Sequence, residues 1–591
     1  MDVLFQRGVW LLVVLAAWMA ASASGGPGEK PPVVQSNEEH IADLIEQLGD
    51  TDYYTRQKAQ DELARLGFEA FDALSAATTH EDLEIAARAR YLLRLMQVEW
   101  TREGDPPQVR TLLDDYGWQQ PEDRRDRIEK LARLPDGAGT AALCRIVRFE
   151  QSGEMSKLAA IELLSAYVAG KSPLPEVMET IDQSLRGSRR PGSRWLLAWA
   201  GNYRSPEALV ADFAEFIEEE QALLARPGLA VHTDVLAALL RFQVAWLEEL
   251  NRREQAIAAM RRLIALEKGD VEDLRKLLVW LIAQKAWPLV DELADRFEGQ
   301  VWSTPALLYL LAEAQAGQGS AEEAEKTASQ ALALRQGNNR NWLNERRILA
   351  MELWQRNRPD WAVREFRYVL DNGPKTDVVT IVTRHNFARM LHDRGEALEA
   401  AEVLQTLVEH FKDHPDLAGQ LGTNAQMTRA RMHYFFACHY HELKDYAKER
   451  EHLDKALADD PDELDALIAR YRLPDQSDEY RKETLEMIRA SADALRENIA
   501  NQPDEPVWYN QFAWLIGNTE GDFDEALRYS HKSLELSPDE GAYLDTLAHV
   551  YFAKKDYANA VKYQTRAVEL ESYSKLIRDK LEVFRAAWES P

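Results

Sequence analysis

The sequence predicts an all-α fold, an α-α superhelix (solenoid) of stacked helical hairpins, and three observations carry that prediction. The first is an internal echo. Ala526 and Ser533 recur 34 positions later as Ala560 and Ala567, each inside two amphipathic segments joined by a short polar turn. A fixed period of this length marks a stack of supersecondary units, not a globule around one catalytic pocket. The second is periodicity: Leu544, Leu547, Ala548 and Tyr551 fall at steps of three and four, Tyr557, Ala560, Tyr563 and Ala567 continue the pattern, and strand-like alternation is scarce. The third is composition, since 46% hydrophobic and 29% charged residues over 591 positions give every unit an apolar face to bury on its neighbour.

Residues 1–23 read as a signal peptide. Arg7 precedes an apolar run from Val9 to Ala21, and Ala21-Ser22-Ala23 offers the small residues a signal peptidase needs. The run is shorter than the about 20 residues of a helical span, so no stable membrane span is expected after cleavage, and the chain is expected to be exported, periplasmic or secreted. The alternative is an uncleaved N-terminal segment that tethers it to the membrane. No cysteine stands near the cleavage site, which argues against a lipid anchor. Residues 24–37, rich in Gly and Pro, form a flexible linker.

Residues 38–98 follow. Leu48-Gly49-Asp50, then Asp52, Arg56, Ala59, Leu63 and Leu66-Gly67, describe a capped helix with one apolar face that stops at a glycine. Arg56, four residues after the opening Asp52, is placed to bond back onto that turn, and Arg88 follows Glu84 at the same spacing. Tyr91 stands where a small residue is expected opposite Ala59. This region resembles a HEAT-type repeat pair. Residues 107–225 are helical by composition, without a clean period, compatible with degenerate repeats; the helices run from about Pro107 to Leu224.

Residues 228–475 carry a recurring key, in which a small residue is followed by another twelve positions on and a third after seven more. Ala312, Ala324 and Ala331 form one set with Gly319 in the turn; Ala350, Ala362 and Val369 form the next; Ala388, Ala400 and Leu407 form a third with Gly395 in its turn. Ala437, Glu449 and Ala456 form a fourth, in which Glu449 breaks the small-residue rule and predicts a looser crossing. A weaker copy lies at Val244 to Leu266, and Leu277 to Phe297 is helical but degenerate. Residues 476–588 add an extra helix from about Asp478 to Asn498 and two repeats, Trp508 to Pro538 and Ala542 to Glu571. Pro538 ends the first of these because it lacks an amide donor and restricts the residue before it. This array of small, aromatic and proline positions resembles the tetratricopeptide repeat.

That resemblance implies that the first helix of each pair lines a concave groove, at positions six and three before the first small residue and one and four after it. It therefore places Asn344, Arg347, Met351 and Trp354 in the groove from one unit, Val382, His385, Arg389 and His392 from the next, and Arg431, Tyr434, Cys438 and His441 from a third. Asn344, Arg347, Trp354, His385, Arg389, His392, Arg431, Tyr434 and His441 are the candidate partner-binding residues. Arginine supplies paired donors and the aromatic rings supply stacking area, which suits a protein or peptide bearing carboxylates. The competing reading is that these groups pair with neighbouring acidic helices of the same chain. Arg186, Arg189, Arg190 and Arg194 make a further basic stretch, which Gly187, Pro191 and Gly192 mark first as a loop.

The net charge of -28 disfavours nucleic acid, whose binding rests on cationic neutralisation of phosphates. The two cysteines, Cys144 and Cys438, lie far apart in probable helices and read as small apolar side chains, not as a disulfide framework. His433, His439 and His441 surround Cys438, but no two of these three histidines are spaced as a helical metal pair; Cys438 and His441 could share a face, and two ligands do not close a site. The run Glu218, Glu219, Glu220 marks a solvated face. Glycine-rich phosphate loops, HExxH helices and GxSxG elbows are lacking in the sequence. No catalytic residue, cofactor or metal is therefore expected. The functional expectation is a non-enzymatic scaffold or adaptor for protein partners, with a peptide- or glycan-binding protein that presents its ligand to an envelope enzyme as the alternative. Sequence specifies no oligomeric state.

Overall fold

The computed structural model describes residues 37–168, 174–224, 233–414, 418–419, 424–474 and 476–589. The expected signal peptide, 1–23, and the linker up to residue 36 lie outside them. Among the described residues there is no strand, and none of their helices is long and apolar enough to cross a membrane. The chain divides into two compact units between Lys268 and Gly269. That division falls inside the stretch 228–475, so the hairpin Thr233–Glu249 with Arg253–Leu266 belongs to the first unit.

The first unit begins with the helices Asn37–Gln47, Tyr53–Leu66, Phe71–Ala77 and Leu83–Leu95. Asp52 caps the second, accepting from the Thr55 amide at 2.9 Å, and Gly67 ends it at φ +56°. Arg56 does bond back onto the opening turn, donating from Nη1 to the Asp50 carbonyl at 2.6 Å and the Thr51 carbonyl at 3.1 Å. Arg88 instead pairs within its helix with Glu84 at 2.7 Å and reaches Gln60 at 2.6 Å, because Asp82 is the cap there. Tyr91 corrects the sequence reading: it is 51% exposed, while Ala86 and Ala89, a turn earlier, are the buried small residues of that helix. The next helices run from Pro107–Leu113 to Pro206–Leu224, five of them opened by proline at Pro107, Pro121, Pro175, Pro191 and Pro206, where a fixed φ and a missing amide do no harm. The basic stretch is thus only partly a loop. Pro191 and Gly192 start a helix, Arg190 is buried and donates to the Arg148 carbonyl at 2.8 Å, and Arg194 pairs with Glu219 at 2.7 Å.

One turn recurs through both units. Between paired helices, a residue in the left-handed region stands at Asn251, Lys285, Gly319, Asn357, Gly395, Lys444 and Lys555. The amide of the following residue returns to a carbonyl five positions earlier at 2.8 to 3.0 Å, as in Arg358 to Leu353 and Asp556 to Tyr551. This is the Schellman closure, which satisfies the last carbonyls of the first helix. It also fixes register. Five positions after each left-handed residue comes Ala256, Val290, Ala324, Ala362, Ala400, Glu449 or Ala560, every one of them 3% exposed or less. The copies at 244–266 and 277–297 therefore share the turn of the clear ones, with Asn251 and Lys285 in its left-handed position.

In the second unit, Arg340–Gln355 packs on its partner Pro359–Asn372 and also on the next first helix, Val378–Asp393; Pro506–Asn518 does the same with Phe523–Leu536 and Gly541–Ala553. First helices thus line up side by side, as in a solenoid. Glu449 does not loosen its crossing: it is buried and accepts a hydrogen bond from His441 Nδ1 at 3.0 Å. The helix Asp478–Asn501 runs three residues past its expected end. Glu365, fully buried, joins three helices by accepting from Arg346 at 2.5 Å and from the Tyr309 hydroxyl at 2.7 Å, while Arg346 also donates to the carbonyls of Leu332 and Leu334 at 2.8 and 2.6 Å. The final helix, Lys575–Glu589, closes the unit by burying Phe584 against Phe552 at 4.4 Å between ring centroids.

Candidate partner-binding face

Because the turn fixes the phase of each first helix, the positions marked from sequence fall on comparable faces. The structure gathers five of them into two clusters and leaves four apart. In the first cluster the Arg389 guanidinium lies 5.5 Å from the ring centroid of Trp354. Trp354 is buried, with its indole Nε1 enclosed and without a hydrogen-bond partner, while Arg389 is exposed and forms no ion pair among the described residues.

The second cluster centres on His392, Arg431 and Tyr434. His392 stacks on Phe435 at 4.6 Å and meets Tyr434 edge-on at 5.5 Å. Burial lowers its pKa to about 4, with Asp465 opposing and Arg431 adding to the effect, so the ring is neutral at neutral pH. Arg431 lies 5.7 Å from the Tyr434 centroid and pairs with Glu463 at 2.9 Å and Asp465 at 2.8 Å. Burial works against its charge, yet these two carboxylates outweigh burial and hold the guanidinium above its ordinary pKa. Burial also pushes Glu463 up to about 7. Asp465 carries the network to the next hairpin by accepting from Trp514 Nε1 at 2.9 Å. Tyr434 and Cys438 sit in the same recess, where burial raises both pKa values, that of Cys438 to about 12. Cys438 and Cys144 are both free thiols.

The remaining candidates stand apart. Asn344 accepts from Arg347 on its own helix at 3.0 and 3.1 Å. His385 Nε2 is buried without a hydrogen-bond partner among the described residues, and burial lowers the His385 pKa. The His441 side chain is 59% exposed and bonds Glu449 of its own hairpin at 3.0 Å. The Arg431 charge is already matched by Glu463 and Asp465; here the competing reading of pairs within the chain holds. Among the described residues, no group of three or more His, Cys, Asp or Glu side chains is arranged to hold a metal ion.

Other residues of this face escaped the sequence reading. A cleft of about 300 Å³ opens between the first helices Val271–Ala283, Pro305–Gly317 and Arg340–Gln355, lined among others by Arg275, Val279, Tyr309, Glu313, Leu353 and Arg356. Arg356 pairs with Glu313 at 2.7 Å, and Arg275 with Glu272 at 2.9 Å. The spacing that selected Arg347 and Met351, applied to Ala312, reaches Tyr309 and Glu313, so a signal for this cleft was present. No such spacing finds Asp393, one position beyond the last template residue, or Tyr573 and Ser574, which follow the last repeat. Their meeting is purely tertiary: the Tyr573 ring lies 5.2 Å from that of Trp354, and Ser574 Oγ donates to Asp393 Oδ1 at 2.6 Å.

A family model of the tetratricopeptide repeat matches residues 542–573, the hairpin Gly541–Ala553 with Tyr557–Leu570 and the turn after it. No curated protein matches the chain. Among solved structures, the chain is similar to YrrB, described as a TPR protein with an unusual peptide-binding site, at 18% identity, covering 37% of this chain and 97% of that one with a TM-score of 0.16. It is also similar to the TPR2AB domain of yeast Sti1 in complex with pHSP90, at 18% identity, 42% and 98% coverage and a TM-score of 0.19. A third is yeast Tom70, at 13% identity, 80% and 90% coverage and a TM-score of 0.25.

Proposed function

We propose that this chain is a non-enzymatic scaffold that holds protein or peptide partners along the first-helix face of its second unit, in an extracytoplasmic compartment. The observation that carries the reading is the common phase of the first helices, which sets an enclosed indole, an arginine with no ion pair among the described residues, and an open cleft along one face. The tetratricopeptide match at 542–573 supports it. Multivalent contact along such a face adds modest interactions through geometry. With Arg431 neutralised, Arg347 and Arg389 are the groups available to a partner's carboxylates.

The test follows from that distinction. The double variant Arg347→Glu/Arg389→Glu, with its helical circular dichroism unchanged, is expected to lose at least about tenfold in capture of partners from an extracytoplasmic extract, the size of one or two charge-assisted bonds. Undiminished capture would end the reading. Export is checked separately by N-terminal sequencing of the mature protein, expected to begin after Ala23. The cleft beside Tyr309 favours the second reading, a peptide- or glycan-binding protein presenting its ligand to an envelope enzyme; saturable binding of short peptides or glycans there, lost on Arg356→Ala, would select it.

A further inference from the structure

The cup formed by Trp354, Arg389 and Asp393 is occupied by the chain itself. Tyr573 sets its ring at 69° to the indole of Trp354. Ser574, 3% exposed, donates to Asp393 Oδ1 and at the same time accepts from the Ile577 amide at 3.3 Å, capping the helix Lys575–Glu589. Through the bond from Ser574 to Asp393, an acidic group from a hairpin far upstream sits at the positive end of the last helix.

The fit is incomplete. Among the described residues, Trp354 Nε1 and Asp393 Oδ2 are both enclosed and both lack a hydrogen-bond partner, and Arg389 beside them forms no ion pair. An enclosed polar atom left unpaired opposes folding, so a permanent internal clasp would be expected to satisfy them. An occupant that leaves a donor and an acceptor unused can be displaced by one that uses them.

We propose that Tyr573-Ser574-Lys575 is an exchangeable internal occupant of this cup, and that the partner it fits is a polypeptide segment with an aromatic residue directly before a Ser or Thr that caps a helix. This rests on the scaffold reading above and names the partner chemistry of the same face. A tethered occupant competes at high effective concentration, so the cup binds a free segment weakly until its own is weakened.

The probe is a fluorescein-labelled, acetylated and amidated peptide with the sequence of residues 571–578, titrated by anisotropy into the full chain. Tyr573→Ala/Ser574→Ala is expected to bind it at least about tenfold more tightly than the unaltered chain, and adding Asp393→Asn is expected to remove that gain. Ser574→Ala alone, which deletes one hydroxyl and should leave folding intact, is expected to move affinity in the same direction by about threefold. Equal affinity for the unaltered chain and both variants, or a gain that survives Asp393→Asn, overturns the proposal. If the peptide binds as expected while Arg347→Glu/Arg389→Glu leaves partner capture intact, the scaffold reading falls and the occupied cup stands. With the reverse pair of results, only the exchange falls.

Discussion

Ser574 and Asp393 lie 181 residues apart in the chain and meet through a hydrogen bond of 2.6 Å. That bond makes the end of the last repeat part of the face built by the hairpins in the middle of the second unit. A bond from a hydroxyl to a buried carboxylate contributes about 1.5–3 kcal/mol. A double-mutant cycle of Ser574→Ala and Asp393→Asn, read from urea unfolding of the second unit within the full chain, should return a coupling of that size. Additive effects would mean that the two residues do not act together in solution.

Arg346 holds Glu365 in an enclosed site together with Tyr309. Burial raises the Glu365 pKa, and Arg346 opposes that rise. Removing the cation leaves a buried carboxylate uncompensated, so Arg346→Met is expected to destabilise the unit by about 3–5 kcal/mol. Combining it with Glu365→Leu should recover much of the loss. Denaturant midpoints of the single and double variants decide the matter.

Glu449 fills a crossing that five related hairpins fill with alanine: Ala256, Ala324, Ala362, Ala400 and Ala560. Its partner His441 is largely exposed. Glu449→Ala therefore trades a one-sided buried pair for the residue the geometry prefers, and its effect is expected to stay within about 1 kcal/mol. Ala362→Glu places a charge at the equivalent crossing without a histidine and should lose more than about 3 kcal/mol. Similar effects of the two changes would contradict the equivalence of these positions.

His392 provides a pH signature. Its native pKa of about 4 lies below the ordinary value near 6.5, so the unfolded chain binds its proton more readily. The contribution is constant above pH 6.5 and is lost as pH falls from about 6.5 toward 4, at up to about 1.4 kcal/mol per pH unit. Glu463, raised to about 7, acts in the opposite sense, since its native form gains stability on protonation below that value. His392→Gln keeps the Glu463 contribution, so the stability gap between parent and variant should shift against the parent across that window. A pH-independent gap would refute the assignment.

The shared turn predicts its own substitutions. Gly395 stands at φ +82°, with only the flexible tip of Lys575 near the position of an added Cβ, at 3.8 Å. Gly395→Ala should therefore lose about 1 kcal/mol through conformation alone. Lys285, also in the left-handed region, should gain about 0.5 kcal/mol as Lys285→Gly. Thermal unfolding of the two variants in parallel tests both signs.

The sequence by itself determined the helical class, the hairpin repeat and the phase of its small residues, because these follow from local periodicity and from a turn whose register is set within a few positions. Ala312, Ala350, Ala388 and Ala548 were legible for that reason. It also placed Trp354, Arg389, His392, Arg431 and Tyr434 on one kind of face, which the template fixes helix by helix. The tertiary structure decided which of these charges are already spent. Arg431 is neutralised by Glu463 and Asp465 on the following segment, His441 turns to Glu449 within its own hairpin, and Arg389 forms no ion pair among the described residues. It alone decided that Tyr573 and Ser574 reach Trp354 and Asp393. Local rules specify each hairpin and its contact with the next; small rotations accumulated over several units bring distant segments together, and no local pattern in the chain records that sum.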